Sequence, residues 1–335
     1  MGYIYCKDGL WIMSLHANMF SMGMFCIDEV HYEATNQSFT NVIGGAGTFA
    51  AIGAGVHLSP EKRHLAQFIL DKGNDFTTEM AAEINSWKTG VVWREDDSRG
   101  TTKAWNKFVN NEERLFKYLS PKKQINPSDI PENRRSSPSF HLVCGPDRCL
   151  DFVNALNCKC YVYEPVPTCC FPEEFPALKE TIAAGVTVLS PNALEAARFV
   201  DLPEPETKKE VEQLCADHYQ FAPVLVIRCG HMGSYLRTPD ISKWYEPYYT
   251  RSEKTSSTDS NSVVDATGAG NAFCGALALA LGQGKNWDDA MAMANVGASF
   301  VIQQIGTPHY NPENDTWNNE KAETRVQQYL ERLSS

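Results

Sequence analysis

The stretch VVDATGAGNAF, residues 263–273, decides the fold. Two valines lead into a turn where Gly268 and Gly270 carry no side chains, so backbone N–H groups can converge on an anion. The Ala- and Leu-rich run that follows reads as a helix, about Gly270 to Leu281, whose N-terminus adds a favourable dipole. Such a turn suits a phosphate whose charge spreads over its oxygens during transfer. An ordinary loop entering a helix also uses Gly and Ala, so the stretch takes its meaning from its surroundings. One feature is odd: the polar residue closing the turn is Asn271, where activation of a hydroxyl favours a carboxylate.

Upstream, HLVCG (141–145), YVYEP (161–165), TVLS (187–190) and VLVIRCG (224–230) are apolar runs of strand length. Helical stretches such as Asn192 to Val200 and Lys208 to His218 separate them, the alternation of a parallel sheet with crossover helices. Nearer the start, Met22 to Ile27 reads as a buried strand ending at Asp28. GGAGTFAAIGAGVHL (44–58) then reads as a glycine turn feeding a helix, and QFIL (67–70) as another strand. VVW (91–93), 101–109 and 114–118 read as short strands of an accessory region. PKKQINPSDIPENRRSSPS (121–139) and RSEKTSSTDSNS (251–262) read as polar loops, and Trp287 to Ile305 as the last core helix.

Composition narrows the function. The chain has 335 residues, 43% hydrophobic, enough for one large α/β domain. Its net charge of −11 is spread along the chain, which argues against direct nonspecific binding to nucleic acid or to a membrane surface, both of which need a basic face. Small anionic ligands stay compatible with it, because local amides can hold an anion inside an acidic protein. Eleven cysteines, an odd number, with neither a CxxC pair nor a His at ligand spacing, read as reduced and mostly buried thiols. A cytoplasmic or nuclear setting fits them. Residues 1–18 read as an extension with Met13 as an alternative start, and no segment is long and clean enough to span a bilayer.

Taken together, these stretches resemble the ribokinase-like, or PfkB, sugar and nucleoside kinases. DATGAGN (265–271) is similar to that family's D-T-x-G-A-G-D signature, GMFCID (23–28) to its first strand, and GGAGTFAA (44–51) to its second signature. DKGNDF (71–76), PNALEA (191–196) with its N-x-x-E, RCGHMGSYL (228–236) and ANVGASFVIQQIG (294–306) follow in family order. In particular the chain resembles a fungal subgroup of that family associated with maintenance of a killer double-stranded RNA virus, whose members also close this turn with Asn.

The resemblance implies a three-layer α/β sandwich with a mostly parallel central sheet and a small β lid. It implies one domain over 19–335, with lid strands within 29–43 and 90–118. It implies ATP- and Mg2+-dependent phosphorylation of a hydroxyl on a sugar-like or nucleoside-like small molecule. By position, Asp28, Gly44 and Gly45 contact the acceptor, and Gly268, Ala269 and Gly270 form the anion hole. Asn192 and Glu195 organise Mg2+ through water. Gly230, Gly233, Asp265, Thr267 and Asn295 belong to the nucleotide side. In some members of this family the lids pair into homodimers.

Two positions depart from the pattern. The asparagine of G-G-x-x-x-N falls at Phe49, which reads either as an aromatic face for a ring-shaped acceptor or as core packing. The catalytic-base position is Asn271, and a neutral amide cannot take a proton. Losing a general base costs about 10²–10⁴-fold, which leaves two readings open. One is a kinase with weakened catalysis. The other is a pseudokinase that binds nucleotide or metabolite and acts through protein partners. Gly45-x-Gly47-x-x-Ala50 also fits a dinucleotide fingerprint, but the strand ending at Asp28 precedes it, where the fingerprint belongs on the first strand.

Overall fold

The structure, a computed structural model, describes residues 18–109, 114–250 and 263–334. Residues 1–17, with Met13, and the loop 251–262 lie outside the described residues.

The chain runs through β1 (Met19–Ser21), β2 (Cys26–Tyr32), β3 (Gln37–Gly44), α1 (Ala46–Gly55), β4 (Ala66–Gly73), α2 (Thr78–Ser86) and β5 (Gly90–Asp96). Next come β6 (Lys103–Phe108), β7 (Arg114–Tyr118), β8 (Ser139–Cys144), α3 (Pro146–Ala155), β9 (Cys160–Pro165), α4 (Phe175–Ala183) and β10 (Val188–Leu189). Then α5 (Ala193–Arg198), α6 (Lys208–His218), β11 (Leu225–Arg228), β12 (Ser234–Arg237) and β13 (Ser242–Tyr245) follow. The last part holds α7 (Ala269–Gly282), α8 (Trp287–Val301), β14 (Tyr310–Asn311), β15 (Thr316–Trp317) and α9 (Ala322–Ser334).

Nine strands form the central sheet in the order β13-β12-β11-β10-β9-β8-β1-β4-β5. The run from β11 to β5 is parallel throughout, and β12 and β13 add an antiparallel edge. The strands read as unbroken apolar runs because both faces are covered. Successive side chains alternate between the faces. Phe140, Tyr161, Tyr163, Leu225 and Ile227 join the core shared with α3 to α6, whereas Met19, Val162, Val188 and Val226 join the core shared with α7 and α8. Helices on both faces make the three layers.

α1 and α7 cross almost backbone to backbone. A Cβ on Gly53 would lie 2.2 Å from the Ala272 carbonyl oxygen, and one on Gly275 2.1 Å from that of Ala50. The small residues of GGAGTFAAIGAG and GAGNAFCGALA are what permit this contact.

A second sheet, in the order β3-β2-β6-β7, forms the lid. The strand read as Met22 to Ile27 is in fact two. β1 ends at Ser21 in the central sheet, residues 22–25 belong to neither strand although the Met22 N–H still donates to the His141 carbonyl at 2.8 Å, and β2 with Asp28 belongs to the lid. VVW also differs from its reading: β5 pairs in parallel with β4 and edges the central sheet. α8 stops at Val301, short of Ile305.

Candidate active site

The acceptor side is built at the β2–β3 hairpin. Asp28 pairs with Val42 just before a bulge, and its side chain is buried. A Cβ on Gly44 would stand 2.0 Å from Asp28 Oδ2, so the carboxylate rests directly on the glycine. Gly45, at φ 97, is the N-cap of α1 and turns the chain from lid to helix.

Across from it lies the first turn of α7. Gly268 is its N-cap in the left-handed region, φ 81, which favours glycine. The first N–H groups of a helix have no carbonyl one turn back, which leaves them for an anion. Here the Ala269 N–H is partly used, donating to the Ala266 carbonyl at 3.1 Å. Asp265 shapes the turn by accepting the Thr267 N–H at 2.8 Å, and its own N–H reaches Ile302. The buried Oγ1 of Thr267 has no hydrogen-bond partner among the described residues.

Phe49 spans the two sides. It is 2% exposed, packs with Ala272 and Val301, and its ring covers Gly268, where a Cβ would come within 2.3 Å of it. Of the two readings of this position, the structure bears out core packing.

Beneath the turn lies a buried ionic network that the sequence reading did not single out. Glu164, at the end of β9, accepts at Oε2 from His141 Nε2 (2.9 Å) and from Asn271 Nδ2 (2.9 Å). Its Oε1 pairs with Arg228 Nη1 at 2.9 Å. Arg228, the last residue of β11, also reaches Glu195 Oε2 through Nη2 (3.3 Å) and donates to the Ser190 carbonyl. His141 Nδ1 meets Ser21 Oγ at 3.0 Å, which extends the chain to β1.

Burial pushes the Glu164 carboxyl up, but Arg228, His141 and the Asn271 amide outweigh it and hold the pKa at about 2. Glu195 ends on the other side of that balance. Burial, opposed by Arg228 and reinforced by Glu164, pushes it up to about 7. One guanidinium thus serves two buried carboxylates and satisfies Glu164 better.

Asn192 and Glu195 form a reciprocal cap of α5: Asn192 Oδ1 accepts the Glu195 N–H at 2.7 Å, and Glu195 Oε2 accepts the Asn192 N–H at 2.8 Å. With Oε2 holding both that N–H and Arg228, Oε1 is the oxygen suited to a metal-bound water. This donor set fits an outer-sphere Mg2+. Gly230 and Gly233 shape the turn after Arg228, where Cys229 N–H bonds the Gly233 carbonyl at 2.8 Å. Asn295 is buried in α8 and spends its amide on the Met291 carbonyl at 2.8 Å.

The structure therefore brings together the ends of β9 and β11, α5 and α7, and Phe49 links the α7 turn to the start of α1, its ring on Gly268 and its N–H donating to the Gly45 carbonyl at 3.2 Å. A further cluster, His141, Glu164 and Cys274, could geometrically hold a metal ion. Glu164 is already bound there by Arg228 and Asn271, and burial pushes the Cys274 thiol up, which disfavours the thiolate a metal needs. Apart from Cys26, the cysteines among the described residues are free thiols, most of them buried.

The family described as pfkB family carbohydrate kinase matches residues 18–314. The chain belongs to the PfkB family. It is 34% identical to Protein MAK32 of Saccharomyces cerevisiae, over 92% of this chain and 90% of that one. It is also 34% identical to the uncharacterized protein C16C9.01c of Schizosaccharomyces pombe, over 93% and 92%. Solved PfkB-type folds superpose along nearly the whole chain. Ribokinase from Giardia lamblia gives a TM-score of 0.66 at 18% identity, covering 95% of this chain and 99% of that one. Ribokinase from Cryptococcus neoformans in complex with ADP gives 0.66 at 15%, covering 95% and 99%. These likenesses establish the ribokinase-like fold. No described helix is long and apolar enough to cross a membrane.

Proposed function

We propose that the protein is an ATP- and Mg2+-dependent phosphotransferase acting on a hydroxyl of a sugar-like or nucleoside-like small molecule, with catalysis weakened at Asn271. One observation supports this reading: the Asp28 carboxylate rests on Gly44, and from the next residue, Gly45, α1 carries Phe49 onto Gly268 in the first turn of α7. Asp28 orients the acceptor hydroxyl. The N–H groups at residues 268–270, that of Ala269 only partly, hold the transferred phosphate, and Gly230, Gly233, Asp265, Thr267 and Asn295 belong to the nucleotide side. Asn192 and Glu195 organise Mg2+ through water, and the ion neutralises phosphate charge when bound. Asn271 can accept a hydrogen bond from the acceptor hydroxyl but cannot keep its proton, so turnover falls by about 10²–10⁴-fold against a carboxylate.

The second reading, a pseudokinase acting through protein partners, is favoured by the bond from Asn271 to Glu164, which commits the amide to the buried network. Exposed Phe39, Leu115, Phe116 and Tyr118 on the lid support pairing of two lids in a homodimer.

The deciding experiment follows ADP release from MgATP across a panel of sugars and nucleosides, with nucleotide affinity measured alongside. Acceptor-dependent release supports the phosphotransferase. Nucleotide binding without release supports the pseudokinase, and absence of both rejects the two together.

A further inference from the structure

We propose that Glu164 is a positioning residue, matched to Asn271 as a carboxylate–amide pair, so that a carboxylate can return to position 271 only if Glu164 gives up its charge. This deepens the proposed function and rests on it for the role of position 271.

An ionised carboxylate only accepts hydrogen bonds. Glu164 Oε2 lies 2.9 Å from Asn271 Nδ2, so the NH2 end of the amide faces it and Oδ1 is turned to the other side. The Asn271 side chain is thereby fixed in one of its two amide orientations. Glu164 is itself held from every element around it: His141 on β8, Arg228 on β11, and Asn271 with Cys274 on α7, with Glu195 on α5 beyond the shared arginine. Burial leaves it little freedom to move aside.

An Asp at 271 would put a second acceptor-only group against Glu164 with no donor between them. Two carboxylates at that spacing share one proton and titrate as a pair. The returned Asp would spend its basicity on that shared proton. Replacing Glu164 with Gln at the same time exchanges the two groups: the amide moves to β9 and the carboxylate to α7, and the hydrogen bond between them is kept.

The test is a stability cycle on full-length Asn271→Asp, Glu164→Gln and the double variant, each melted at about pH 5.5 and about pH 8. Asn271→Asp should melt about 5 °C lower than the unmodified protein at the higher pH and recover towards it at the lower, because the shared proton is lost as pH rises. The double variant should lose that pH dependence and melt above the sum of the two single effects. Additive effects, or an Asn271→Asp protein unchanged at both pH values, overturn the pairing. If Asn271→Asp does not fold, a folded double variant still supports the pairing. If neither folds, the side-chain amide protons of Asn271 in the unmodified protein decide it: slow exchange with solvent supports the pair, and exchange at the free-amide rate overturns it.

Basal ADP release from MgATP, with water as acceptor, is read on the same proteins. A rise of about tenfold or more in the double variant over Asn271→Asp supports the role of the pair in phosphoryl transfer. Coupled melting with no release from any variant upholds the pair by itself, and the phosphotransferase reading is then decided by the acceptor panel alone.

Discussion

The guanidinium of Arg228 occupies the space that a side chain on Gly270 would need: a Cβ there would lie 1.9 Å from Nη1. The glycine in the first turn of α7 therefore has two causes. It opens backbone N–H groups towards an anion, and it makes room for the arginine beneath. Ala at an unconstrained helical site gains about 0.5–1 kcal/mol over Gly. Here Gly270→Ala should instead destabilise by about 1–3 kcal/mol, the cost of overpacking a core. Urea unfolding of the variant measures it, and a gain in stability would show that Arg228 yields easily.

Arg228→Met removes the one cation between Glu164 and Glu195. Breaking a buried pair by removing one partner costs about 3–5 kcal/mol. The loss should be largest at alkaline pH, where both carboxyls are ionised, and smaller in mild acid, where Glu195 takes up a proton first. Unfolding curves at both pH values check this, and a loss independent of pH would mean that the arginine acts by packing alone.

Glu195 sets a pH trend of its own. Its folded pKa of about 7 is above the ordinary value of 4.5, so its contribution to stability is fully present below 4.5 and is lost as pH rises to about 7. Glu164, lowered to about 2, has the opposite sign, and its contribution is lost as pH falls from 4.5 towards 2. Glu195→Gln should flatten the melting temperature between 4.5 and about 7 and leave the acid limb in place. A slope that survives the substitution would have to come from another group.

Gly44→Ala tests the acceptor wall. The added methyl would collide with Asp28 Oδ2 and swing the carboxylate away. Once an acceptor is known, its KM should rise about tenfold or more with nucleotide affinity unchanged. Equal losses in both would show that the hairpin supports the whole cleft.

How far the sequence could be read differs from place to place. The α7 turn and its helix were legible because glycine spacing and an apolar run are local signals. The division of residues 19–32 between two sheets was not. Met19 to Ile27 reads on as one apolar-leaning stretch, and only the pairing of β1 with β4 and of β2 with β6 separates its two strands. VVW was assigned to the lid for the same reason: β-branched residues suit either sheet. Glu164 and Arg228 stood in plain sight in YVYEP and VLVIRCG. A charge closing an otherwise apolar strand of a parallel sheet is a usable signal, since ligands gather at those ends. That the two charges meet below Asn271 depends on strand order, which spacing along the chain does not encode.

The backbone contact of α1 with α7 has a mechanical consequence. The two helices are locked at Gly53 and Gly275, with Phe49 wedged between their first turns, so the start of α1 at Gly45 and the start of α7 at Gly268 cannot part without dismantling the core. Asp28 stands outside that lock, on β2 of the lid, so any movement of the lid carries its carboxylate along while the α7 turn stays where the core holds it.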